Sequence, residues 1–236
     1  MNSMVGWQPL NHHFFATMSD LKTTCPYCDA PSGDAHICSA CGRVLPVAGE
    51  DYFSFLGLPK KLRIDTAELE KTFYSLSRRL HPDFFMNASQ QERQASLDRS
   101  SLLNDAYRAL RDPVTRAQYL LSIEGYKEAE KKAPPELLEE VFELNMQIEE
   151  MRMAKKTGDE DEITESRAHL EDALASLDKK LSEIDSRLFA LFDEWDRSLD
   201  DGAGAEARKK TLDRMSELLS HRSYIRNLVR DIREEI

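Results

Sequence analysis

Four cysteines, Cys25, Cys28, Cys38 and Cys41, lie within seventeen residues of a 236-residue chain that has no other thiol. They form two C-x-x-C pairs separated by nine residues, with Pro26, Gly33 and Gly42 supplying turns. Each pair lets two thiolates converge on one ion, and two pairs complete a tetrahedral shell at roughly 2.3 Å per metal–sulfur bond. The chemistry is therefore metal binding. One structural Zn ion is the first candidate, and iron in the same all-thiolate shell is the second. His36, two residues before Cys38, is a minor alternative ligand. A disulfide framework would spread its cysteines along the chain, so this local cluster points to a reducing compartment. No βαβ pattern surrounds the pairs, which argues against a thioredoxin-like redox site. Elsewhere the sequence offers no Gly-rich phosphate loop, no Gly-x-Ser-x-Gly elbow and no cysteine left to act as a nucleophile. No catalytic residue is assigned, because the many carboxylates alternate with Lys and Arg along helical faces, where solvated i, i+4 pairing accounts for them.

The elements that must position these residues read as helices. Residues 51 to 59 form a short apolar helix closed by Gly57 and Pro59. Asp65 or Thr66 caps a second helix to about Leu80, whose stripe of Leu69, Phe73, Leu76 and Leu80 is spaced four, three and four. His81-Pro82 stops it, because proline disfavours α geometry in the residue before it. A third helix, residues 89 to 111, turns Leu103, Tyr107 and Leu110 back toward the second as an antiparallel hairpin. Residues 114 to 122 make one more short helix after Asp112-Pro113.

The last third predicts helices over about 132–155, 159–199 and 206–235. In the middle one Leu170, Leu174, Leu177, Leu181, Ile184, Leu188, Leu191 and Trp195 alternate four and three, which is a heptad seam. The final helix carries Leu212, Met215, Leu219, Leu228 and Ile232. The seam suits either a dimeric coiled coil or an intrachain bundle, and two short turns favour the bundle. The expected fold is all-α: residues 1–24 a flexible extension, 25–47 a metal knuckle, 51–125 a helical hairpin domain and 133–236 an antiparallel three-helix bundle.

At 41% hydrophobic and 32% charged residues the chain can build a core, and no run of eighteen apolar residues suggests a membrane span. The net charge is -11. Residues 124–236 carry nineteen Lys and Arg against thirty Asp and Glu, which argues against nucleic acid or an anionic membrane as a partner. The first twenty-one residues contain no Lys or Arg, unlike a secretory signal or a mitochondrial presequence, so a bacterial-type cytoplasm is expected. Met18 is an alternative start.

His81-Pro82-Asp83 stands out because of its setting. It falls in the loop between two antiparallel helices, after a helix bearing Lys71, Arg78 and Arg79 and before Phe84-Phe85. Residues 52–58 (YFSFLGL) precede that hairpin and residues 103–113 (LNDAYRALRDP) end it. The stretch from 52 to about 123 resembles a J-domain. With residues 109–121 (ALRDPVTRAQYLL) leading into an acidic three-helix bundle and no Gly/Phe-rich linker between, residues 52–236 resemble the HscB-type co-chaperones of iron-sulfur cluster assembly. The tetracysteine segment resembles the knuckle that some members carry.

That resemblance implies a J-domain that stimulates an HscA/DnaK-class chaperone ATPase and a bundle that carries an IscU-type scaffold protein, in a protein that is not itself an enzyme. It implies chaperone contacts at His81, Pro82 and Asp83, with Lys71, Arg78 and Arg79 on the basic helix face. It implies scaffold contacts along residues 137–145. Helix geometry separates two stripes there: Leu137, Val141, Leu144, Ile148 and Met151 form a core line, and Leu138, Phe142 and Met146 form a second about a hundred degrees away. The resemblance thus implies scaffold contacts at Leu138, Phe142, Glu143, Met146 and Glu150. Glu139 and Met146 depart from the family pattern, an acid replacing an apolar residue and an apolar residue an acid. The competing readings are a metal-dependent enzyme, which a shell closed by four cysteines disfavours, and a coiled-coil adaptor or zinc-binding J-protein for other clients.

Overall fold

The computed structural model describes residues 24–33, 35–126 and 137–236. The expected extension before Thr24, the alternative start at Met18 and the helix opening at 132–135 lie outside the described residues. Seven α-helices occur among the described residues: α1 (Tyr52–Phe55), α2 (Thr66–Leu80), α3 (Gln90–Arg111), α4 (Pro113–Ile123), α5 (Leu138–Thr157), α6 (Glu160–Asp200) and α7 (Ala205–Glu235). A 3-10 turn, Pro82–Phe85, sits between α2 and α3. Among the described residues only two isolated antiparallel bridges, Thr24 with Pro31 and Ile37 with Val44, interrupt this all-α architecture.

Caps set the helix starts that the sequence pattern predicts. The Asp51 carboxylate accepts from the Phe53 and Ser54 amides at 3.0 Å each, Asp65 from Ala67 and Glu68, and Asp112 from Val114 and Thr115, with Pro113 opening α4. α2 buries Leu69, Leu76 and Leu80 and lays Phe73 on Tyr107 of α3, ring centroids 4.2 Å apart. Between α4 and α1, Tyr119 stacks on Tyr52 at 4.1 Å and its hydroxyl accepts from the Tyr52 amide.

By contact density the chain divides into two units, residues 24–48 with Leu80–Arg99, and Gly49–Arg79 with Ser100–Ile236. In the second unit the bundle is intrachain: α6 packs along both α5 and α7, and α7 also meets α4. Every seam position of α6 is buried except the half-buried Leu174 and Leu181. On α7 the expected Leu228 is only half-buried, and Ile225 and Val229 take the core places. Gly158, at φ +75°, closes α5 in a left-handed conformation that a Cβ would strain, and Asp159 caps α6.

The loop 60–63 is pinned to α6 by side-chain-to-backbone bonds that no periodicity marks. The buried Asp196 carboxylate accepts from the Leu62 and Arg63 amides at 2.7 and 2.8 Å, and the Trp195 indole donates to the Lys60 carbonyl at 2.8 Å. Arg116, 3% exposed, donates to the carbonyls of Leu110 and Leu62. Desolvation brings its guanidinium down to about 10, still charged at neutral pH.

Candidate functional site

The two C-x-x-C pairs build the same turn twice. The Asp29 amide donates to the Cys25 carbonyl and the Gly42 amide to the Cys38 carbonyl, both at 2.9 Å. Asp29 at φ +58° and Gly42 at φ +72° reverse the chain directly after the second cysteine of each pair. The bridge at 24 and 31 recurs at 37 and 44, thirteen residues on. This pseudo-twofold arrangement brings all four sulfurs within 4.8 Å of one another, with Cys25 to Cys41 at 3.7 Å and Cys28 to Cys38 at 3.8 Å. A tetrahedron with bonds of 2.3 Å has edges of about 3.8 Å, so the sulfurs fit one tetrahedral metal ion.

Electrostatics agrees with that fit. The Cys41 and Ala40 amides hold the Cys38 thiol at about 7, against the opposing desolvation. The Ala30 amide pulls the Cys28 thiol down, yet desolvation and the three neighbouring sulfurs outweigh it and push it up to about 12. Four thiolates cannot share this volume without a cation, and a bound divalent ion removes the conflict. His36 does not join the set. Its Nδ1 lies 2.8 Å from an Arg99 guanidinium nitrogen, which can only donate, so Nδ1 accepts there and is not a ligand. Arg43 lies over the Tyr27 ring at 5.2 Å, and Cys25, Cys38 and Leu45 form a small core with Tyr27.

The His81-Pro82-Asp83 loop is a capped turn. His81 takes the extended conformation that a following proline requires, and its Nδ1 accepts the Asp83 amide at 3.3 Å. The cap leaves His81 and Asp83 exposed and Pro82 half-buried. Phe84 follows with 73% of its surface exposed. On α2, Lys71, Arg78 and Arg79 all face solvent. Lys71 is paired with Glu68, leaving Arg78 and Arg79 as the adjoining cations at the helix end.

On α5 the two predicted stripes separate. Leu144, Ile148 and Met151 are buried and Leu137 and Val141 half-buried, whereas Leu138, Phe142 and Met146 are 55, 66 and 50% exposed. Glu143 and Glu150 are exposed beside them. Sequence reasoning missed Met153, 57% exposed, which lies seven residues beyond Met146 and therefore on the same face. From Leu138 to Met153 this face runs about 22 Å. The seven-residue repeat from Met146 was the available signal.

The hairpin α2–α3 with a His-Pro-Asp turn defines the class: a DnaJ-domain protein, and the DnaJ domain model matches residues 51–119. The chain is also 31% identical over 186 residues to the mouse iron-sulfur cluster co-chaperone protein HscB, spanning 74% of each chain. It belongs to the HscB family of iron-sulfur cluster co-chaperones. Its fold is similar to that of the human co-chaperone protein HscB, at 24% identity and a TM-score of 0.60 over 90% of this chain and 98% of that one. The chaperone HscB of Vibrio cholerae, also 24% identical, covers 78% of this chain and 96% of its own at a TM-score of 0.50.

Proposed function

We propose that this co-chaperone of the iron-sulfur cluster family stimulates the ATPase of an HscA/DnaK-class chaperone and brings it an IscU-type scaffold protein. The observation that carries the reading is the division of α5. One helix buries Leu144, Ile148 and Met151 in the bundle while holding Leu138, Phe142, Met146 and Met153 in water. An apolar row that the fold does not use, flanked by Glu143 and Glu150, suits a partner with apolar pockets and a basic rim. The His81 turn supports the other half. A rigid exposed Asp83 can accept a bidentate bond from a partner arginine, and Arg78, Arg79 and Lys71 suit an acidic chaperone surface.

On this reading the chain is not an enzyme: its residues position two partners, and hydrolysis belongs to the chaperone. The ion at Cys25, Cys28, Cys38 and Cys41 is Zn in a structural role, since four thiolates close the shell and leave no open position. Four cysteines outside any disulfide suit a reducing compartment, and we place the protein in the cytoplasm. The test is to titrate the purified chain into a cognate chaperone and follow ATP hydrolysis. Stimulation that saturates, and that His81→Gln removes without changing helicity, is expected. Equal stimulation by parent and variant would exclude the loop as the contact.

A further inference from the structure

Residues 24–48 share a compact unit with Leu80–Arg99, so the knuckle and the His81 turn are built against the same stretch of α3. The joint is made by three side chains on one helical face, Glu92, Ser96 and Arg99, spaced four and three. Arg99 is 1% exposed. Its guanidinium donates to the carbonyls of Leu45 and Pro46, the latter at 2.8 Å, and to His36 Nδ1 at 2.8 Å. The Glu92 carboxylate accepts the Val44 amide at 3.3 Å. Between these two grips, the buried Ser96 hydroxyl donates to the carbonyl of Leu80 at 2.7 Å, and Leu80 is the residue before His81.

The acceptors that fix Arg99 are in place only while the second C-x-x-C turn and the strand-like residues after it are folded. Leu45 belongs to the same small core as Cys25 and Cys38, and its amide closes back onto the His36 carbonyl at 3.0 Å. That core is too small to stand without its metal. Losing the ion therefore does more than free the N-terminal segment. It withdraws backbone acceptors from a buried cation, and a buried guanidinium deprived of partners must find water by moving the helix that bears it.

We propose that the tetracysteine knuckle is a metal-dependent clamp on the His81-Pro82-Asp83 loop, with Arg99 as the positioning residue that transmits it. Metal at the four cysteines orders residues 36–46, these hold Arg99 and Glu92, and the fixed start of α3 holds the loop through Ser96. This departs from the simple expectation that metal loss disturbs the N-terminal segment alone. The clamp is a claim about order and needs no partner. Its effect on chaperone stimulation rests on the function proposed above.

The experiment is hydrogen exchange read by mass spectrometry on the full chain, loaded with zinc and then stripped by a chelator under reducing conditions. The expected result is that amides in residues 80–96 exchange at least about tenfold faster after stripping, while those of α6 around Leu188 keep their rates. Arg99→Met in the zinc-loaded chain should loosen 80–96 with one equivalent of zinc still bound. Glu92→Gln, a milder change, should do so less. Were residues 24–47 to lose protection on stripping while 80–96 keep theirs, the clamp would be overturned. A chain whose loop loosens on stripping, but whose zinc-loaded form never stimulates a chaperone, keeps the clamp and overturns the chaperone reading.

Discussion

The knuckle and the bundle solve the same problem by opposite means. Residues 24–47 fold around Cys25, Cys38 and Leu45, with two copies of one turn aiming four sulfurs at a point. Helices α5 to α7 fold around a long apolar seam from Leu170 to Trp195, closed by Leu144, Ile148 and Met151 on one side and Leu212, Met215 and Ile232 on the other. The first region is too short to exclude much water, and its four converging sulfurs could hold a metal ion that supplies the missing cohesion. The second buries most of its seam by packing side chain on side chain. It can therefore leave one row of α5 exposed without losing the fold.

The largest expected effect breaks that contrast at its metal. Structural zinc contributes on the order of 10 kcal/mol or more to small zinc-folded sites. Chelation, or the pair Cys38→Ser and Cys41→Ser, should abolish knuckle order and remove about one equivalent of metal. The preparation should be colourless beforehand, and an iron spectrum would identify the other occupant. Far-UV circular dichroism should still show α5 to α7 melting as in the parent. A bundle that melts together with the knuckle would erase the distinction.

The next effects are smaller and act within the bundle. Leu188→Ala removes a side chain with no exposed surface, and Leu144→Ala one that is 3% exposed. Each should cost roughly 2 to 5 kcal/mol of stability, seen as a lower denaturant midpoint with unchanged metal content. Leu138→Ala with Phe142→Ala should barely move that midpoint. Scaffold affinity, by calorimetry with an IscU-type protein, should instead fall by about 2 kcal/mol or more per anchor. Met153→Ala sharpens the comparison by showing how far along α5 the partner surface reaches.

The smallest effect is on acid stability. Asp213 is held below the usual carboxylate range first by the Tyr126 hydroxyl and then by Lys209, and Asp193 by Arg63. A depressed folded-state value means stabilisation that is present above about pH 4 and lost as pH falls through the lowered value. Asp213→Asn should flatten the acid end of a melting-temperature profile slightly and leave neutral pH nearly untouched. Tyr126→Phe, which removes the larger cause, should mimic it in part.

Much of this was legible in the sequence because it is periodic. The α6 seam, the α2 stripe and the two lines on α5 are repeats of three and four, and Asp-Pro, Thr-Gly and Gly-Ala-Gly mark where they stop. The four cysteines and the His-Pro-Asp turn are local spacings and were equally readable. The rest was not, for a common reason. Arg99 reaches carbonyls 53 and 54 residues away, and Asp196 reaches amides 133 and 134 residues away. A bond from a side chain to a distant backbone group leaves no pattern in residue types, so these buried charges read as ordinary surface positions. The thirteen-residue repeat of the knuckle escaped because its two copies share little beyond their cysteines and a left-handed residue, Asp29 in one and Gly42 in the other.

On the proposed function, one chain carries two partner surfaces, each with a separate task. The most direct measurement is chaperone ATP hydrolysis, with scaffold present and absent, for the parent, for His81→Gln and for the pair Leu138→Ala and Phe142→Ala. The parent should stimulate alone and more strongly with scaffold. His81→Gln should fail in both cases while binding scaffold normally, and the α5 pair should stimulate alone but gain nothing from scaffold. If His81→Gln stimulates like the parent, or if the α5 pair responds to scaffold as the parent does, the two-surface account is wrong.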